Sequence, residues 1–400
     1  MSGTILCINS GSSSLKFALY SGDRPDALAD RVHGRIENIG LAPHLQVRAP
    51  DGTTLAEHRW AEGDPVTHET LLATLLDKVD EHVGADLLAV GHRVVHGGAR
   101  FVDPVRIDAG VLAALDALCP LAPLHQPHNL AAVRAVMRLR PQLPQVACFD
   151  TAFHHTQPAV AMRLALPRAI TDAGVRRYGF HGISYDYIAR RLRQTDPALA
   201  AGRVIVGHIG NGASLCAMQG GRSVDTTMGF STLDGLVMGT RCGTLDPGAV
   251  LYLFQQKGLS VQAVQHMLYS ESGLLGVSGL SSDMRTLEQS DDPRAREAIE
   301  LSAYRIAREA GALVASLGGL DGLVFTAGIG ENSATVRQRV CQRLAWLGIA
   351  LDDAANARHD AVISRPDSRV KVRVERTDEE RLIGTRVAEL LRSTAHHDTT

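Results

Sequence analysis

Residues 4–20 read TILCINSGSSSLKFALY, and residues 202–221 read GRVIVGHIGNGASLCAMQGG. Each stretch is an apolar run, a turn of glycine, asparagine or serine, and a second apolar run. Short apolar runs bounded by turn residues read as buried strands. Ile5 to Ile8 and Leu15 to Tyr20 form the first pair, joined by a loop too short for a helix. The recurrence predicts an internal duplication in which each half offers one turn to the same ligand.

Outward from these copies, strands and helices mix throughout. Residues 31–57 read as further strand and turn. Residues 69–83 have helical spacing, with Leu71, Leu72, Leu75, Leu76 and Val79 on one face. LLAVGHRVVHGG is a strand running into a glycine loop, and QVACFDTAFH is a strand ending in a polar cluster. Helices are expected over 109–118, 130–139, 183–194 and 294–317, the last ended by Gly318 and Gly319. DGLVFTAGIGENS reads as strand, glycine turn and helix start. A strand over 370–376, a closing helix over 379–391 and a frayed polar tail from 392 complete the chain. The pattern is α/β in two lobes. The first lobe is expected over 1–150 and the second over 151–378; a return of helix 379–392 to the first lobe is the expected arrangement, though local pattern alone does not show it.

The chain has 400 residues, a formal net charge of -2 and 38 glycines. Domains of about 100–200 residues make two or three the expected number. The charge balance argues against nucleic acid as a partner, which calls for surplus positive charge. No run approaches the roughly 18 apolar residues of a membrane span, and Asn9 to Ser14 interrupt any signal-peptide core. The cysteines at 7, 119, 148, 216, 242 and 341 form no CxxC pair. They read as reduced thiols of a cytoplasmic protein, neither a disulfide framework nor a zinc site.

In NSGSSSLK, Gly11 permits an unusual turn, and the hydroxyls and amides of Ser12, Ser13 and Ser14 can cup an anion beside Lys16. The alternative is an ordinary polar hairpin. GxxxxGK[ST] is absent, so this is no P-loop, and GIGENS lacks the last glycine of a dinucleotide fingerprint. GHIGNG leaves backbone around His208 and Asn211 open to phosphate, and TAGIGENS can present a helix N-terminus to an anion. Arg93 and Arg241 stand among glycines, where a rigid donor fork suits carboxylate or phosphoryl oxygens as well as a structural ion pair. They are expected to be buried. His125, His128, His154, His155 and His181 gather at loop ends without HExxH, so hydrogen bonding to a charged ligand is preferred to zinc. Asp150 and Glu379 are the carboxylates considered for Mg2+; Glu379 reads equally as a first-turn helix residue. Together these features point to phosphoryl transfer.

INSGSSSLKF, GHRVVHGG, FDTAFH, YGFHG, GHIGNGAS, MGTRCG, SSDMR and FTAGIGENS, in this order, resemble the motifs of the acetate kinase family. The resemblance spans nearly the whole chain. It implies a two-lobed actin-like ATPase fold with duplicated topology and a central cleft, and a homodimer built through the second lobe. The implied reaction is reversible transfer between ATP and acetate, giving ADP and acetyl phosphate with Mg2+, for which Mn2+ can substitute. Asn9, Ser12, Ser14 and Lys16 would lie near phosphates and metal. Arg93 and Arg241 would grip acetate and the phosphoryl group, with His181 on the same group. Asp150 and Glu379, with Asn9, would support the metal, and His125 would be a hydrogen-bonding active-site residue. His208, Ile209, Gly210, Asn211 and Gly212 would line the phosphate path. Asp283, Met284, Arg285, Gly328, Ile329, Gly330, Glu331 and Asn332 would border the nucleotide.

One departure bears on the acyl group. The family places proline where this chain has Thr232, within STLDG. That proline would line a pocket with Val95, Leu124 and Phe180. A methylene there is worth only about 1–3 kcal/mol, so propionate is an expected second substrate. A propionate-preferring kinase, a phosphoanhydride hydrolase and a nucleotide-gated binding protein are the rival readings; paired arginines speak for an anionic co-substrate. Acetate is already an anion and needs no base. The implied chemistry is direct in-line transfer, stabilised by arginines, a histidine and the metal, with lobe closure excluding water.

Overall fold

The computed structural model describes residues 3–11, 14–22, 24–25, 27–64, 66–83 and 87–397. Ser12 and Ser13, and residues 398–400 of the tail, lie outside them. The chain divides into two compact units, Met1–Ala152 with Asp378–Thr400, and Phe153–Thr377.

The first unit holds β1 (Thr4–Ser10), β2 (Leu15–Ser21), β3 (Ala29–Glu37), β4 (His44–Arg48), β5 (Thr54–Arg59), β6 (Leu87–Val94), β7 (Val105–Arg106) and β8 (Gln145–Phe149). They form one sheet in the order β5-β4-β3-β2-β1-β6-β8-β7. The second unit holds β9 (Arg203–Ile209), β10 (Ala213–Gln219), β11 (Arg222–Thr226), β12 (Gly322–Thr326) and β13 (Lys371–Val374), ordered β11-β10-β9-β12-β13. The duplication is plain in the pairing. β1 pairs antiparallel with β2, β2 with β3, and β1–β6–β8 run parallel. β9 pairs antiparallel with β10, β10 with β11, and β9–β12–β13 run parallel.

β1 is apolar on both faces because both are covered. Leu6 and Ile8 join a core with Leu71, Leu72, Leu75 and Leu76 of helix His68–Val83 and Ala132, Ala135 and Val136 of helix Gln126–Leu139. On the opposite face lies helix Glu379–His397. It approaches so closely that a Cβ on Gly91 of β6 would stand 2.4 Å from Ile383 Cγ2 and 2.7 Å from Val387 Cγ2. Glycine at 91 is therefore what lets the closing helix seat on the sheet. In the second unit, Tyr185, Ile188, Ala189 and Leu192 of helix Gly182–Thr195 pack on Val204, Val206, Cys216, Met218 and Val324. Helix Pro293–Leu317 packs on β10 and β11. It starts at Asp292, whose side chain accepts from Arg294 N, and ends at Gly318, φ 67°, with Gly319 N bonded to Val314 O.

Some local expectations are corrected. The helix expected from 130 begins at Gln126, because Pro127 is accommodated in its first turn. The closing helix continues to His397, past the expected end at 391. The glycine turn of TAGIGENS is itself a helix, Ala327–Asn332, and Ser333 caps the next one, Ala334–Arg343, by accepting from Val336 N. Glu331 Oε1 takes the Ala327 amide at 2.9 Å, which pins that first turn. All six cysteines are free thiols. Among the described residues no helix is long and apolar enough to cross a membrane.

Candidate active site

β1, β6 and β8 are parallel neighbours, so their carboxyl ends lie side by side, the usual place for a ligand in an α/β sheet. Asn9, Arg93 and Asp150 stand there. Arg93 donates to Asp150 Oδ2 from Nε at 2.9 Å and from Nη2 at 2.5 Å, and from Nη1 to Asn9 Oδ1 at 3.1 Å. Asn9 Nδ2 in turn donates to Glu379 Oε2 at 3.2 Å, with Glu380 Oε1 at 3.5 Å. The closing helix thus delivers its first-turn carboxylates to the strand ends. Asp150 is buried, but Arg93 and Arg241 are only half-buried, which corrects the expectation of two buried arginines.

The charges explain one another. Burial raises the Glu379 pKa to about 7; Arg93 opposes this, Asp150 and Glu380 reinforce it, and Lys16 opposes it. Burial alone would lower the Arg93 pKa, but Asp150, Glu379 and Glu380 outweigh it and raise it. The cluster is therefore short of positive charge. Its carboxylate and amide oxygens are hard donors of the kind Mg2+ takes alongside water and phosphate. No group of three or more His, Cys, Asp or Glu among the described residues is placed to hold a metal by itself. That is compatible with a cation that a substrate helps to bind. Ser14 closes the β1–β2 turn, its carbonyl accepting from Gly11 N at 2.8 Å, and Lys16 is exposed on β2.

Two buried amides hold this platform, and the sequence reading passed over both. Asn129 accepts from Val95 N at 2.9 Å and donates to Ser10 O at 2.5 Å, tying the end of β6 to the end of β1. Gln126 accepts from His96 N at 3.1 Å and returns a bond to His96 O at 3.0 Å. Both sit on the inward face of a helix expected to start only at 130; the cue was polar amides in phase with Leu130 and Val133. His125 flanks that helix, half-buried, without a side-chain capping bond.

In the second unit, His208 lies near the end of β9 and His181 precedes helix Gly182–Thr195 at φ 57°. Their rings stack at 4.2 Å with 20° between planes. His181 Nδ1 lies 2.8 Å from Ser214 Oγ, and His208 Nδ1 lies 2.9 Å from Ser184 Oγ. Buried His154 supports the turn: its Nε2 bonds Phe180 O at 2.9 Å, and burial lowers its pKa to about 4, so it does so as a neutral ring. Gly212 is the close-approach point. A Cβ there would stand 2.6 Å from Arg241 Nη2 and 3.3 Å from His181 Nε2. Arg241 Nη1 donates to Thr232 O at 2.7 Å. Val95, Phe180 and Thr232 are buried, and Leu124 is exposed.

A cavity of about 480 Å³ opens within the second unit. Gly210, Asn211, Asp283, Met284, Arg285, Gly328, Ile329 and Asn332 line it, joined by Ser282, Glu288 and Ser333, which the sequence reading did not select. Gly330 and Glu331 face elsewhere. The Gly330 carbonyl accepts from buried Arg337 at 2.9 Å, and the Glu331 carboxylate takes the Ala327 and Thr377 amides. Ile209 is buried in β9. Asp283 starts helix Met284–Glu288, accepting from Thr286 N at 2.8 Å, which with the Thr286 hydroxyl holds its carboxyl below the usual range.

Duplicated sheets of this strand order, with charged groups at the ends of the parallel strands, define the actin-like ATPase fold. Solved structures that share it include an acetate kinase from Porphyromonas gingivalis, TM-score 0.87 at 38% identity, covering 97% of this chain and 100% of that one. A propionate kinase from Francisella tularensis gives 0.89 at 37% identity, covering 96% and 98%. An acetate kinase of Rhodopseudomonas palustris is 53% identical over 97% of this chain and 98% of its own length. The chain belongs to the Acetokinase family, whose model matches residues 4–385.

Proposed function

We infer that the protein transfers the γ-phosphoryl group of ATP to acetate, reversibly, giving acetyl phosphate and ADP. The observation that carries this reading is the Arg93–Asp150–Asn9–Glu379 cluster at adjoining strand ends in a member of the Acetokinase family. Acetate arrives ionised, so no base is needed. Arg93, held by Asp150 and Asn9, orients its carboxylate. Arg241, braced by the Thr232 carbonyl, and His181 offset charge on the phosphoryl oxygens. Ser14, Lys16, His208 and the Gly210–Gly212 turn serve the phosphate chain, and the 480 Å³ cavity takes the nucleoside. Asp150, Glu379 and Asn9 would hold Mg2+ or Mn2+, which supplies charge neutralisation at phosphate oxygens.

Propionate is the second reading, and Thr232 at the acyl-pocket position favours it. Homodimer formation through the second unit accords with its exposed apolar side chains, Val160 at 83%, Leu251 at 54% and Val261 at 64%. Six free thiols accord with a cytoplasmic setting. The deciding assay supplies ATP and Mg2+ with acetate, propionate or butyrate and traps acyl phosphate as hydroxamate, with free phosphate followed in parallel. Acetyl hydroxamate in excess supports the reading. Propionate matching or exceeding acetate transfers it to a propionate kinase. Phosphate release without acyl phosphate replaces it with a hydrolase.

A further inference from the structure

His181 and His208 each turn Nδ1 onto a serine hydroxyl, and neither serine is exposed. Ser214 and Ser184 are both 0% accessible, as is Tyr185. The Ser184 hydroxyl continues to Thr377 Oγ1 at 2.8 Å, and the Ser214 hydroxyl to Tyr185 Oη at 2.5 Å. Two chains of hydroxyls therefore run from a stacked pair of imidazoles, one to buried Tyr185 and one to half-buried Thr377. The motif GHIGNGAS ends at Ser214 but gave that residue no role, and Tyr185 lies in no quoted motif.

The chain through Tyr185 has a direction. Among the described residues Ser214 Oγ is the acceptor within reach of the buried Tyr185 hydroxyl, at 2.5 Å, and a core hydroxyl proton left without an acceptor is costly. Tyr185 then spends its own proton on Ser214 Oγ. Buried Ser214 Oγ has Tyr185 Oη and His181 Nδ1 as its hydrogen-bond partners, so with the Tyr185 proton on its oxygen its own proton goes to His181 Nδ1. A nitrogen that accepts cannot carry hydrogen in the neutral ring, so the proton of His181 stands on Nε2. Nε2 is the atom beside Gly212, where a Cβ would stand 3.3 Å away.

We propose that Tyr185 and Ser214 are a positioning pair that holds His181 as the Nε2–H tautomer, a neutral donor aimed at the Gly212 turn. The inference rests on the phosphoryl-transfer reading only for its consequence: an Nε2–H group can donate to a phosphoryl oxygen, and a bare Nε2 cannot. The tautomer itself is independent of the reaction.

The test uses the full chain with its histidine ring nitrogens labelled with 15N, the His181 signals being assigned by their loss in His181→Asn. The wild type should show a protonated Nε2 and a bare Nδ1. Tyr185→Phe, which removes one oxygen and keeps the ring in the core, and Ser214→Ala should each shift His181 toward a tautomer mixture. Turnover should fall at least about tenfold with KM for ATP little changed. Ser214→Thr, which restores a hydroxyl, should recover the wild-type pattern. An Nδ1–H pattern in the wild type, or an unaltered pattern in folded Tyr185→Phe and Ser214→Ala, overturns the proposal. A shifted tautomer with undiminished turnover upholds the positioning pair and removes His181 from the transfer step.

Discussion

Arg93 places two of its donors, Nε and Nη2, on a single oxygen of Asp150, Oδ2, and its third on Asn9. One carboxylate thus fixes the plane of the guanidinium and keeps it at the strand ends. Asp150→Ala should cut Mg2+-dependent turnover about a hundredfold or more, since it removes both the proposed cation ligand and the brace of Arg93. Initial rates over a Mg2+ titration check this; a wild-type rate with wild-type Mg2+ dependence refutes it.

Arg241 has a different anchor, the carbonyl of Thr232. Arg241→Ala should lower kcat about a hundredfold, as loss of a transition-state donor does. Arg241→Lys should not restore it, because an ammonium cannot keep the Thr232 bond and present a fork at the same time. Undiminished turnover in either folded variant would remove Arg241 from the reaction.

Gly212→Ala tests positioning by sterics alone. The new methyl would collide with Arg241 Nη2 and press on His181 Nε2, while the position is not in the left-handed region. The expected result is a fall in kcat of about tenfold to a hundredfold, with the melting temperature little changed. Paired kinetics and thermal melts separate this from a folding defect.

The Glu379 carboxyl titrates near pH 7 in the folded protein, against a value of 4.5 without its surroundings. A folded pKa that is raised favours folding fully below the unfolded value. That contribution is lost as pH rises from about 4.5 through about 7. Glu379→Gln abolishes this titration, so the variant should gain on the wild type over the same window, by on the order of 1–3 kcal/mol. Mg2+ would hold Glu379 ionised, so it should raise the wild-type melting temperature more at pH 8 than at pH 5. Urea melts across the pH range, with and without Mg2+, measure both effects.

Thr232→Pro keeps the carbonyl that braces Arg241 but changes the side chain proposed to face the acyl group. The ratio of kcat/KM for propionate to that for acetate should move by about tenfold, within the range a methylene commands. An unchanged ratio would assign the position to Arg241 alone.

Strand character and the repeated strand–turn–strand design were written in local pattern, and the actin-like fold class followed from the resemblance to the family motifs. Each copy carries its own apolar runs and turn residues, and the family motifs occur in order along the chain. Contiguous information of that kind survives in one dimension. Where patterns misled, a neighbouring residue was the cause. Glu331 folds back on Ala327 and makes the expected glycine turn a helix, and Pro127 extends the preceding helix segment to Gln126.

Long-range partnership was decided only in three dimensions. Glu379 reads as an ordinary first-turn helix residue until the closing helix lies on β1 and β6, where Gly91 admits it, and its carboxylate reaches Asn9. Asn129 and Gln126 look like stray amides until the first ties the ends of β1 and β6 and the second holds the His96 backbone just beyond β6. Ser214 closes the motif GHIGNGAS without a role of its own and Tyr185 lies in none; register and the face of a helix bring them to His181. The physical reason is the same in each case. Periodicity and turn chemistry act between near neighbours, whereas a hydrogen bond between residues 370 positions apart, as from Asn9 to Glu379, exists only once burial has assembled the sheet and its helices.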